Sequence, residues 1–126
     1  MLAQIPRTVG RFISDSRALV SSSNEGPGYL MFGPYISLRA GDYVYRATLR
    51  IESSDVESAG LVDVTGESGK KKFAAISLPA HTGNYTIELP FSVRRDAKGV
   101  ELRTWVSGAA NVMLESAVLI RRDSIN

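Results

Sequence analysis

The sequence predicts an all-β domain, a jelly-roll β-sandwich of about eight to ten antiparallel strands. Three observations carry this. Apolar and polar residues alternate with period two through every long patterned run, which puts one side of a strand into a core. Helical periodicity is nearly absent. Turn-forming clusters also recur about every 8–12 residues, the spacing of a sandwich or barrel.

The first strand candidates are short: Val9–Ile13, Ala18–Ser21, Tyr29–Phe32 and Tyr35–Leu38. Asn24-Glu25-Gly26-Pro27-Gly28 and Gly33-Pro34 separate them with turn chemistry. After Ala40-Gly41-Asp42 comes the clearest strand, Asp42–Glu52. It assigns Tyr43, Tyr45, Ala47, Leu49 and Ile51 to the core, with Val44, Arg46, Thr48 and Arg50 on the other side. Leu61–Val64 and Lys72–Leu78 follow, separated by Thr65-Gly66 and the basic run Lys70-Lys71-Lys72. In Asn84–Val93 the inward set is Tyr85, Ile87, Leu89, Phe91 and Val93. Pro90 has no amide proton to give to a ladder, so that strand belongs at an edge or carries a bulge. Val100–Val106 offers Val100, Leu102, Thr104 and Val106 inward against Glu101, Arg103 and Trp105. Asn111–Arg121 closes the pattern with Val112, Leu114, Val118 and Ile120, and Ser116 interrupts its stripe.

Size and composition agree with one domain spanning residues 1–126. Hydrophobic residues are 44% and charged residues 22%, which excludes a disordered or collagen-like chain. The longest apolar runs, such as Ala117–Ile120, fall far short of the roughly 20 residues of a membrane-spanning helix. There is no cysteine, so no thiol nucleophile, disulfide or cysteine-ligated zinc. Fifteen basic against thirteen acidic residues is too small an excess for a nucleic-acid partner. Lys70-Lys71-Lys72 reads as a solvated turn. The N-terminus lacks the pattern of a signal peptide, and the compartment, bacterial cytoplasm or cell surface, is left open. The abrupt start and end suggest a segment of a larger protein.

No catalytic constellation is legible, and the domain is not expected to be an enzyme. The single histidine, His81, sits between Pro79 and Gly83 as an exposed turn residue, and no nucleophile elbow surrounds the serines at 21–23. Glu88, Glu101 and Asp63 are the acids that a carboxylate pair would draw on, but outward carboxylates on a sandwich are commonly cross-strand partners of Arg or Lys. No cofactor is called for. Structural calcium is a minor alternative, with Asp15, Asn24, Glu25, Asp42 and Glu115 as its oxygen donors.

The informative feature is the face of the long strands that turns away from the core. It is expected to gather Arg46, Thr48, Arg50, Glu88, Glu101, Arg103 and Trp105. Flat aromatic surface beside planar polar side chains is what recognition of a sugar requires. Trp105 is therefore either a partly exposed platform or a core residue with inverted phase. Tyr29, Phe32 and Tyr35 form a second aromatic group around Gly33-Pro34, of which Tyr35 is the best placed for binding. Three arginines on such a face favour an acidic or polyhydroxylated glycan.

Phe32-Gly33-Pro34-Tyr35-Ile36-Ser37-Leu38 followed by Ala40-Gly41-Asp42-Tyr43 resembles the "GPYI-x-L-x-x-G-x-Y" opening of small bacterial β-sandwich domains. Gly60-Leu61-Val62-Asp63-Val64 and the stretch Val100–Gly108 resemble the same group. Those domains are similar to carbohydrate-binding modules and are appended to glycosyltransferases and other surface-polysaccharide proteins. The resemblance implies a non-catalytic, jelly-roll, glycan-binding module attached to a catalytic domain in the parent chain. It points at Tyr35, Asp63, Glu101 and Arg103, with Asp63 and Arg103 either touching ligand or forming a buried pair between strands. The candidate ligand-binding set is thus Trp105, Tyr35, Arg103, Glu101, Arg46 and Asp63. The rival reading is a protein-interaction or assembly module with no sugar ligand.

Overall fold

The computed structural model describes residues 11–13, 18–21, 27–31, 33–52, 59–67, 69–108 and 110–122. Ten strands run through them: β1 (Arg11–Ile13), β2 (Ala18–Ser21), β3 (Gly28–Met31), β4 (Pro34–Leu38), β5 (Gly41–Glu52), β6 (Gly60–Gly66), β7 (Lys71–Ser77), β8 (Gly83–Val93), β9 (Ala97–Val106) and β10 (Asn111–Arg122). They form two antiparallel sheets. The first has the order β1-β2-β10-β5-β8; the second is β3-β9-β6-β7, with β4 also paired to β9. Only the β1–β2, β3–β4 and β6–β7 connections stay within one sheet, and every other one crosses the sandwich. Two apolar faces meeting between such sheets make the jelly-roll core.

The alternation predicted for β5 and β9 is observed. Tyr43, Tyr45, Ala47, Leu49 and Ile51 from the first sheet pack toward Val62, Val64, Val100, Leu102 and Val106 of the second. Tyr45 bridges the sheets, its hydroxyl 3.6 Å from Met31 Sδ and 3.4 Å from Thr104 Oγ1. Burial pushes its phenol up to about 12. Pro90 lies on β8, the edge strand of the first sheet, where a missing amide costs least.

Bulges account for the interruptions in the pattern. In β10 the register with β5 shifts between Leu114 and Ser116, so Glu115 is an extra residue. One added residue inverts the phase of everything after it. The expectation that Val118 and Ile120 enter the core is corrected accordingly: Ala117 and Leu119 pack on the core, and Val118 is exposed. A similar shift in β3 sends both Leu30 and Met31 inward.

β3 and β4 lie end to end along β9 as one interrupted edge strand. The break falls at Gly33 (φ 96°), whose carbonyl accepts the Leu102 amide at 2.7 Å. Beyond it the register shifts between Pro34 and Ile36, leaving Tyr35 as the bulged residue, with φ at 66°. At the far end of the sheet, Gly60 passes so close to the Trp105 carbonyl that a Cβ there would collide with the backbone. β6 and β9 are thereby drawn together beside Trp105.

Candidate glycan-binding face

Residues directly opposite one another in paired strands share a face. On the second sheet this rule assembles three rows pointing away from the core. Tyr29, Trp105 and Leu61 form the first row across β3, β9 and β6. Arg103 and Asp63 form the second. Glu101 and Thr65 form the third, with Tyr35 bulging beside Glu101 at the edge. Trp105 and Glu101 are four residues apart on β9, which is roughly 13 Å along an extended strand. That is longer than one pyranose ring.

The middle row is an ion pair. Arg103 Nε donates to Asp63 Oδ1 at 2.8 Å and Nη2 donates to Oδ2 at 2.6 Å. Asp63 is only 2% exposed, and its carboxylate holds the guanidinium above its ordinary range despite the opposing effect of burial. The Arg103 guanidinium also lies over the Tyr29 ring, 5.1 Å from its centroid. Asp63 and Arg103 therefore tie β6 to β9. The same bonds fix the plane of the guanidinium.

In the third row Glu101 is 6% exposed and lies beside the Tyr35 hydroxyl. The turn after β6 closes over it, and a Cβ on Gly69 would stand 4.0 Å from Glu101 Oε1. Tyr35 is 51% exposed. Its ionisation is pushed up by lost solvation first, then by the Glu101 charge and hydrogen bond, against a smaller lowering from Arg103. A non-glycine residue at φ 66° is strained, and such strain persists where surrounding structure holds it. Beside Glu101, the Thr65 hydroxyl is buried with no hydrogen-bond partner among the described residues.

Trp105 is half-buried on this face and stands outside the core cluster, so it is not a core residue with inverted phase. The structure thus brings Trp105, Tyr35, Arg103, Glu101 and Asp63 together. Arg46 is a correction. It lies on β5 in the other sheet, paired with Glu88 at 2.6 Å on the opposite outside surface of the sandwich. Thr48, Arg50 and Glu88 belong to that sheet as well, so the single face expected from three strands is in fact two. Alternation assigns a side but not a sheet, which is why the error arose.

The sequence pattern puts Thr65 in a turn after Val64, whereas β6 runs on through it, and leaves Tyr29 apart from Trp105. The signal for Thr65 was its place two residues after Asp63, on the same side of β6. Phe32, Asp15, Asn24 and Glu25 lie outside the described residues. Asp42 accepts a hydrogen bond from Ser92 at 2.7 Å, and Glu115 is the bulge residue of β10. Among the described residues no group of three or more His, Cys, Asp or Glu is arranged to hold a metal. Among them no helix is long and apolar enough to cross a membrane. His81 is exposed in the turn before β8, and Lys70, Lys71 and Lys72 are exposed around the start of β7.

Two solved structures share this architecture. One, described as CBM4 structure and function, superposes with a TM-score of 0.57 at 9% identity, over 83% of this chain and 82% of that one. The fold is that of the CBM β-sandwiches. The second is the C-terminal CBM6 of LamC, a marine laminarinase from Zobellia galactanivorans, with a TM-score of 0.50 at 15% identity. It covers 89% of this chain and 88% of its own. No protein-family profile matches the sequence, and no curated protein matches it significantly.

Proposed function

We propose that this CBM-like domain is a non-catalytic carbohydrate-binding module for a bacterial polysaccharide or oligosaccharide. The observation that carries the reading is the three-row face of the second sheet. An aromatic end made by Tyr29 and Trp105 is joined by the fixed Arg103–Asp63 pair to a polar end made by Glu101, Tyr35 and Thr65. Sugar rings present apolar C–H faces and polar hydroxyl edges, and this face supplies a partner for each. Both CBM neighbours support the reading through their shared architecture. Attachment to a catalytic domain that acts on the same polymer belongs to the same proposal.

The single tryptophan allows a direct test. Titration with bacterial polysaccharide fragments should shift its fluorescence saturably. Trp105→Ala should remove binding measured by calorimetry while the far-ultraviolet circular dichroism is retained. Saturable binding that survives Trp105→Ala would exclude this face.

A second reading rests on the opposite side of the molecule. There Val44, Pro90 and Ile120, with Arg46, Glu88 and Arg122, line a shallow groove of about 390 Å³, and Val118 stands exposed. A protein-interaction module using that side would show a concentration-dependent mass in the absence of sugar.

A further inference from the structure

The charge on the binding face points away from acidic glycans. Two carboxylates, Asp63 and Glu101, face one guanidinium, Arg103. Both oxygens of Asp63 already accept bonds from Arg103, so the positive charge is matched before any ligand arrives. Glu101 remains as a buried carboxylate beside the Tyr35 hydroxyl. A carboxylate has about four lone-pair sites, so further acceptor capacity is left.

Thr65 adds an independent observation. Its hydroxyl is buried, unpartnered among the described residues and placed in the same row as Glu101. An orphaned buried hydroxyl is costly, and a ligand hydroxyl is a group that relieves it. The other cation in that row is Lys72, opposite Thr65 on β7. It is solvent-exposed and two strand spacings from Glu101, about 10 Å, where screening is strong.

We propose that the face selects an uncharged glycan, whose hydroxyls donate to Glu101 and pair with Thr65, and rejects uronic acids and other anionic sugars. The inference rests on the carbohydrate-binding reading and deepens it. It narrows the acidic or polyhydroxylated preference expected from three arginines, of which Arg46 and Arg50 belong to the other sheet. Among the described residues, a carboxylate on the ligand would meet Glu101 with Arg103 already matched by Asp63, whereas a hydroxyl edge meets an acceptor it can donate to.

The test compares matched neutral and uronic oligosaccharides of gluco, manno and galacto configuration by calorimetry, at low salt and at high salt. The neutral member of a bound pair should bind at least about tenfold more tightly at low salt, and the gap should narrow as salt rises. Glu101→Gln should weaken neutral binding by about tenfold, and Thr65→Val should weaken it while preserving the thermal midpoint. Tighter binding of the uronic member would overturn the selectivity and leave the module reading standing. Unchanged neutral affinity in both Glu101→Gln and Thr65→Val would also overturn it. Absence of binding to every member, neutral and acidic, would remove the module reading and this inference with it.

Discussion

At Tyr35 a candidate binding residue sits in a disfavoured local conformation. Its backbone sits at φ 66°, where a side chain with a Cβ is disfavoured, and half of its surface faces solvent. Glycine adopts that conformation without the steric penalty. Tyr35→Gly is therefore expected to raise stability, or leave it unchanged within about 1 kcal/mol, while weakening glycan affinity. Urea unfolding and calorimetry on the same variant separate the two effects, and a large loss of stability would show that the tyrosine is structural. The two Arg–carboxylate pairs make a related contrast. Arg103 and Asp63 are largely withdrawn from water, whereas Arg46 and Glu88 are 44% and 53% exposed, so the second pair is screened and contributes little.

At the scale of the strand, single inserted residues decide which side chains meet the core. Without a bulge at Glu115, period two assigns Val118 and Ile120 inward; with it, Ala117 and Leu119 go in. Leu119→Ala is accordingly expected to lower the unfolding free energy by about 1–3 kcal/mol, and Val118→Ala by less than about 0.5 kcal/mol. Chemical denaturation of the two variants checks the order. The reverse order would mean that β10 keeps its phase through Ser116. The bulge in β4 acts on the candidate face in the same way, since it places Tyr35 beside Glu101.

At the scale of the whole molecule, Tyr45 couples the sheets. It stands on β5 in the first sheet, and its hydroxyl reaches Met31 and Thr104 in the second. In the unfolded chain a tyrosine loses its proton near its ordinary value of 10.0, but in the sandwich Tyr45 holds it to about 12. Between those values the folded state binds more protons than the unfolded state. Stability is therefore flat with respect to this group below about pH 10 and falls as pH rises toward 12. Tyr45→Phe should flatten that alkaline decline, measured as the thermal midpoint against pH. An unchanged profile would show that another group controls it.

The sequence alone determined the all-β class and the inward set of β5, β8 and β9, and it limited the strand carrying Pro90 to an edge or a bulge, of which the structure takes the edge. These follow from the two-residue repeat and from the missing proline amide, both local properties of the chain. Most members of the binding face were also legible, because Glu101, Arg103 and Trp105 lie on one side of one strand. Tertiary structure alone decided which strands are neighbours. Arg46 has the same alternation as Arg103, and pairing of β5 with β8 and β10 carries it to the far side of the sandwich. Pairing of β9 with β6 and β3 joins Thr65 and Tyr29 to the site. Register and pairing depend on contacts between residues distant in sequence, and a local pattern carries no information about its partner.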